Sequence, residues 1–152
     1  MSDEINLDLV TLANSLKKYS VLVVDDEEIA LQLFSTTLKN FFKHVGVAQH
    51  VSVAIDKMNE YPYDALITDN ILPDISGTEL IKRIRNGEAV KNEEYRKKIE
   101  NMPIYLITHS VESHLSEVLN LNHVYYLHKP SLKTQTILKM LCILEKTLES
   151  NR

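Results

Sequence analysis

The sequence has a single cysteine, Cys142, so no internal disulfide can form, and a lone thiol suits a reducing compartment. Its three glycines, Gly46, Gly77 and Gly87, stand too far apart for a glycine-rich phosphate loop of either the G-x-G-x-x-G or the Walker kind. No apolar run approaches the roughly 18 residues that a membrane span needs. The opening stretch MSDEIN is acidic and polar, unlike a secretory signal, and a cytoplasmic location is expected. Positive charge is not in excess either. The net charge is −4 with Lys and Arg mixed among acids, which argues against nucleic acid as a direct partner.

What is present is the composition of one globular domain, with 44% hydrophobic and 25% charged residues in 152. Short apolar runs, SVLVV (20–24), HVGVA (44–48), DALIT (64–68), PIYLIT (103–108) and VYYL (124–127), lack two-fold alternation. Parallel strands covered on both faces read this way. Amphipathic stretches lie between them. In residues 28–42, Ala30, Leu33, Phe34, Thr37, Leu38 and Phe41 share one helical face; 51–60, 78–86, 112–120 and 134–149 behave similarly. Five strands alternating with five helices predict a doubly wound α/β fold, since parallel strands need crossover connections.

Two segments fall outside this alternation. Ile5, Leu9, Leu12, Leu16 and Tyr19 are spaced 4-3-4-3, which predicts an added helix over 1–19 ahead of a domain at 20–148. Two heptads are short for a coiled coil, so docking on the domain is the preferred use of that seam and a homodimer the other. Residues 87–102, GEAVKNEEYRKKIENM, read as a solvated, charged insertion with a helix over 91–100.

In a doubly wound sheet, ligands bind at the carboxyl ends of the strands. The first strand ends in Asp25 and Asp26, the third in Asp69, the fourth in Thr108, and the fifth in Lys129-Pro130. Carboxylates this close repel by about 1 kcal/mol per pair even in water. A divalent cation between them reverses that sign, and hard oxygen donors suit Mg²⁺, which bridges readily to phosphoryl oxygens. A lysine ammonium and a threonine hydroxyl complement phosphate, and the middle carboxylate can act as a nucleophile.

These residues resemble the receiver domain of bacterial two-component response regulators, from about Ser20 to about Lys146. The resemblance rests on VLVVDDE, ALITDNILPDISG, YLIT and YYLHKP in the family's order and spacing, with Pro73 four residues and Gly77 eight residues after Asp69. It implies a flavodoxin-like sheet of order 2-1-3-4-5. It implies Asp69 as phosphoacceptor, and Mg²⁺ held by Asp25, Asp26, Asp69 and the Ile71 backbone carbonyl. Lys129 would pair with the acceptor and then with the phosphoryl group. Thr108 would move toward it, and Tyr126 would report that movement by its rotamer. A cis Lys129–Pro130 bond is also implied. The donor would be a sensor histidine kinase or a phosphotransfer protein, and output would pass to a protein target or a fused output domain.

Three positions depart from the family's habit. His109 follows the switch threonine where a small residue is usual, so access to Asp69 should be restricted. The turn NLNHV precedes the last strand, and Ile71 is apolar where many relatives are polar, so the autodephosphorylation rate is not inherited. The six histidines, His109 and His114 included, show no ligand spacing. Glu27 and Glu28 read as first-turn acids that complement a helix dipole. Two other functions compete. A haloacid-dehalogenase-type phosphatase needs Asp-x-Asp, whereas this chain offers Asp25-Asp26-Glu27; a receiver-like module that binds partners without phosphorylation is the other. The final helix ends near Leu148, so a stand-alone receiver and a piece of a longer chain both stay open.

Overall fold

The computed structural model describes residues 2–109, 115–129 and 133–151, with side chains from residue 9 onward. The strands are β1 (Ser20–Val24), β2 (His44–Ala48), β3 (Ala65–Asp69), β4 (Ile104–Thr108) and β5 (Val124–His128). The helices are α1 (Ser2–Leu16), α2 (Glu28–Leu38), α3 (Val51–Glu60), α4 (Gly77–Arg85), α5 (Glu93–Glu100), α6 (Ser116–Leu119) and α7 (Thr134–Ser150). All strand pairs are parallel, in the order β2-β1-β3-β4-β5, which is the flavodoxin-like order expected.

β1, β3 and β4 are buried at every position because each strand feeds two cores. Leu22, Leu66 and Leu106 face α3, α4, α5 and α6, where Met58, Ile81, Ile99 and Val118 cover them. The intervening Val23, Ile67 and Ile107 face α1, α2 and α7, against Leu16, Phe34 and Leu144. Helices therefore cover both faces.

Three expectations change in detail. The buried face of α2 is Leu31, Phe34 and Leu38, not one containing Leu33, which is 49% exposed. The helix stops at Leu38, and the turn that follows sends Phe42 inward while Phe41 stays half-buried. The segment 87–102 is not simply solvated. Ala89, Val90, Ile99 and Met102 are buried, Asn59 Oδ1 accepts from the Lys91 and Asn92 N–H groups, and Arg85 donates to the Glu100 and Met102 carbonyls. The N-terminal seam docks: Leu12 and Leu16 enter the core, and Ser15 Oγ bonds Glu145 and Glu149 of α7, each at 2.9 Å. Residues 110–114, which take in His114 and the start of the predicted 112–120 helix, and Pro130, with the predicted cis bond, lie outside the described residues.

One cap comes from far along the chain. The first N–H groups of α3, from Val51 and Ser52, donate to the Asp74 carboxylate at 3.0 and 2.8 Å, although Asp74 lies on the β3–α4 connection. Slight desolvation pushes the carboxyl of the exposed Asp74 up. Bonds from the N–H groups of Val51, Ser52, Ile75 and its own backbone outweigh that and hold it down at about 2. A carboxyl lowered in the folded state adds stability that is complete above its unfolded value and is lost as pH falls through the folded one. Asp74→Ala should therefore cost about 1 kcal/mol at neutral pH. Urea unfolding of both proteins should show that gap shrinking as pH drops from about 3.8 toward about 2.

Candidate functional site

The carboxyl edge of the sheet gathers the ionisable residues. Asp25 follows β1 directly, and its backbone N–H donates to Ala48 O of β2 at 3.0 Å. Asp25 Oδ1 accepts the Glu27 N–H at 2.9 Å, which turns the chain into α2. Asp69 ends β3 and is 5% exposed. Its Oδ1 accepts the Ile71 N–H at 3.3 Å. The chain then doubles back: Asn70 O accepts from Gly77 N at 2.8 Å, and Asn70 Oδ1 accepts from Thr78 N at 3.1 Å. A Cβ at Gly77 would sit 2.2 Å from the Asp69 carbonyl oxygen, so only glycine allows α4 to start this close. Ser76 caps that helix by accepting from Glu79 N, a serine and glutamate spaced as in a capping box.

Lys129 reaches into this edge from the end of β5, with its side chain 5% exposed. Its Nζ lies 2.9 Å from Asp69 Oδ2, 3.2 and 3.1 Å from the two Asp25 oxygens, and 2.7 Å from Glu27 Oε1. Burial alone would push the ammonium down. Bonds to Glu27, Asp69 and Asp25 outweigh it and hold Lys129 above its ordinary value. Asp25 is shifted up, chiefly by burial, against the lowering effect of the Glu27 N–H and of Lys129. Glu27, at the rim, is shifted down by its bond to Lys129.

Of the residues expected here, Asp25, Asp69 and Lys129 are brought into direct contact, and Thr108 is buried at the end of β4. Tyr126 is half-buried on β5, paired with Leu106, two residues before Thr108. Ile71 is exposed. Asp26 is exposed, and among the described residues the carboxylates whose oxygens lie within 4.8 Å of one another are Asp25, Glu27 and Asp69. Glu27 is the residue that sequence reasoning undervalued. Its position as N-cap of α2 explains an acid there, but its side chain turns to Lys129 instead of capping. His109 is exposed, with Nε2 3.6 Å from Glu27 Oε1, so the two side chains stand together at the mouth. A set of hard, anionic oxygens around one point fits a divalent cation such as Mg²⁺.

Residues 21–141 match the response regulator receiver domain family. The chain belongs to that family. Among its relatives, the nisin biosynthesis regulatory protein NisR of Lactococcus lactis is 26% identical over 122 residues, 80% of this chain and 48% of NisR. The chain thus spans just under half the length of that relative. In solved structures, a CheY-like receiver domain protein of Methanospirillum hungatei is 21% identical with a TM-score of 0.71, covering 88% of this chain and 98% of that one. The receiver domain of the sensor histidine kinase PA1611 from Pseudomonas aeruginosa, solved with a magnesium ion coordinated in its active-site cleft, is 19% identical with a TM-score of 0.66, covering 84% and 98%. At these identities the two structures speak for the fold. Receiver domains are signalling modules, not classical enzymes, and generally bind Mg²⁺ at an acidic pocket.

Lys129 is the buried counter-charge of this receiver domain. Lys129→Met should lower stability by about 3 kcal/mol at neutral pH, because carboxylates are left buried without a partner. Asp25, already raised by burial, then loses the lowering effect of Lys129, so the variant should recover relative stability as pH falls and Asp25 protonates. Denaturant unfolding at neutral and at mildly acidic pH measures both effects.

Proposed function

We propose that this chain is a phosphorylation-controlled signalling switch in which Asp69 is the phosphoacceptor. The observation that carries the reading is the bond from Lys129 Nζ to Asp69 Oδ2, 2.9 Å, inside a buried acidic edge. Asp69 would attack the phosphorus of a phosphohistidine on a sensor histidine kinase or phosphotransfer protein. The new O–P bond forms as the P–N bond breaks and the donor imidazole keeps the electron pair. Asp25, Asp26 and Asp69, with the Ile71 carbonyl, would hold Mg²⁺, which when bound neutralises charge on the phosphoryl group. Glu27 lies close enough to Asp25 and Asp69 to join that set.

After transfer, Lys129 would exchange its carboxylate contact for a phosphoryl oxygen, and the Thr108 hydroxyl would move to bond another. Withdrawal of Thr108 would open space for the Tyr126 ring and so alter the surface of α6, β5 and α7. Such a change from 1:99 to 99:1 requires about 5.5 kcal/mol of preference for the active state. Two charge-assisted hydrogen bonds at up to about 3 kcal/mol each are of that size. Protein partners are supported by Ile29 and Leu33, exposed one turn apart on α2, and by exposed Ile71 near Asp69. The same reading takes residues 20–148 as the receiver domain, 1–19 as an added helix docked on it, and a cytoplasmic location. Among the described residues no helix is long and apolar enough to cross a membrane.

Incubation with radiolabelled acetyl phosphate and Mg²⁺ should label the protein, and EDTA or Asp69→Asn should abolish labelling. Labelling of Asp69→Asn at the parent rate would overturn the assignment, and partner binding indifferent to phosphate would favour a phosphorylation-independent module. His109→Ala should speed labelling by small donors by opening the mouth beside Glu27, read as the initial rate under the same conditions.

A further inference from the structure

The amino edge of the sheet carries a second concavity, of about 480 Å³, roughly 15 Å from the acidic edge by the length of a five-residue strand. Tyr19, Asp64, Pro103 and His123 line it, residues that lie just before β1, β3, β4 and β5. The rest of its wall is supplied by parts of the chain that a five-strand frame does not require. Lys97, Lys98 and Asn101 come from α5 and its end, and Leu148 and Asn151 from the end of α7. Tyr19, Leu148 and Asn151 fall outside the residues matched by the family.

The wall is held rigidly. Arg85 donates to the carbonyls of Glu100 at 2.9 Å, Met102 at 2.8 Å and Asn122 at 2.9 Å, which fixes the two loops on either side of the opening. A half-buried guanidinium with no carboxylate partner among the described residues is costly, and burial pushes its ionisation down. The fold keeps it where it ties those loops together. His123 keeps a left-handed backbone, φ 59, at the same rim.

The chemistry of the lining is one-sided. Asp64 is spent internally, on Lys98 Nζ at 2.8 Å and on the Ser20 N–H at 2.8 Å. Lys97 makes no ion pair among the described residues, and the side chains of Asn122, His123 and Asn151 make no hydrogen bond among them. Tyr19 and Leu148 each keep a narrow apolar strip open beside these groups, and Met102 closes the floor behind them. We infer that this concavity is a binding site for a small organic anion with an apolar body, whose charge meets Lys97 and whose body lies against Tyr19 and Leu148.

Naphthalene-sulfonate serves as the probe, with naphthalene-methanol as its uncharged counterpart, in a titration of the isotopically labelled full chain followed by amide NMR. The sulfonate should give saturable shifts centred on Tyr19, Asn101, Asn122, His123 and Asn151, and the alcohol should bind about fivefold more weakly or worse. Lys97→Glu, at an exposed position, should weaken the sulfonate by at least the same factor. His123→Gly, which suits the left-handed backbone and so preserves the fold, should weaken it too. Shifts centred elsewhere, no saturable shift, or equal affinity for charged and uncharged probes in parent and Lys97→Glu would overturn the assignment.

Discussion

A single ammonium group, Lys129 Nζ, answers to carboxylates delivered by two strands and one helix start: Asp25 after β1, Asp69 after β3 and Glu27 at the entry to α2. All other features of that edge follow from keeping this arrangement possible. Two nearly buried acids would repel each other and resist ionisation without a counter-charge, and Asp25 already feels that burial. Lys129 resolves the conflict, yet its ammonium is shared three ways, so no one of its bonds is indispensable. In the proposed switch, a cation or a phosphoryl group arriving at this edge would take over part of the compensation, and Lys129 would move its contacts without leaving a charge stranded. An arrangement that is stable and yet exchangeable is what a switch requires.

The sheet makes this geometry unavoidable. Parallel strands in the order β2-β1-β3-β4-β5 bring the ends of β1 and β3 side by side and put β5 two strands from β3 and three from β1, a gap that Lys129 and the carboxylates close from both sides. Local devices then fix the loops. Gly77 lets α4 begin against the Asp69 carbonyl, and Asn70 ties the returning chain through Gly77 and Thr78. Asp74 carries the same loop outward to cap α3. The loop after Asp69 is thus anchored at both ends.

Much of this was legible in the residues. Short apolar runs closed by Asp25, Asp69, Thr108 and Lys129 named the strands and the chemical edge together, because a buried strand leaves polar groups only where it emerges. What stayed hidden depends on partners distant in sequence. An acid at the start of a helix has a sufficient local explanation, so nothing around Glu27 announces that its side chain turns to Lys129. The buried face of α2 turns on where the helix stops, and a stop at Leu38 selects Leu31 over Leu33. In residues 87–102 the charged middle masks the four apolar residues that anchor it, and their tethers, Asn59 and Arg85, lie in other elements. The Asp74 cap is 23 residues from its helix, beyond the reach of any local capping pattern.

In the proposed switch, Lys129 is a counter-charge that moves from carboxylates to a phosphoryl group on Asp69. A structure of the protein with Mg²⁺ and beryllofluoride, a stable phosphoryl mimic, tests this most directly. The mimic should be bonded to Asp69, with Lys129 Nζ within hydrogen-bond distance of a fluoride and parted from Glu27, and the Thr108 hydroxyl turned toward a second fluoride. Beryllofluoride absent from Asp69 at saturating concentration, or Lys129 still bonded to Glu27 and Asp25 with the mimic in place, would contradict it.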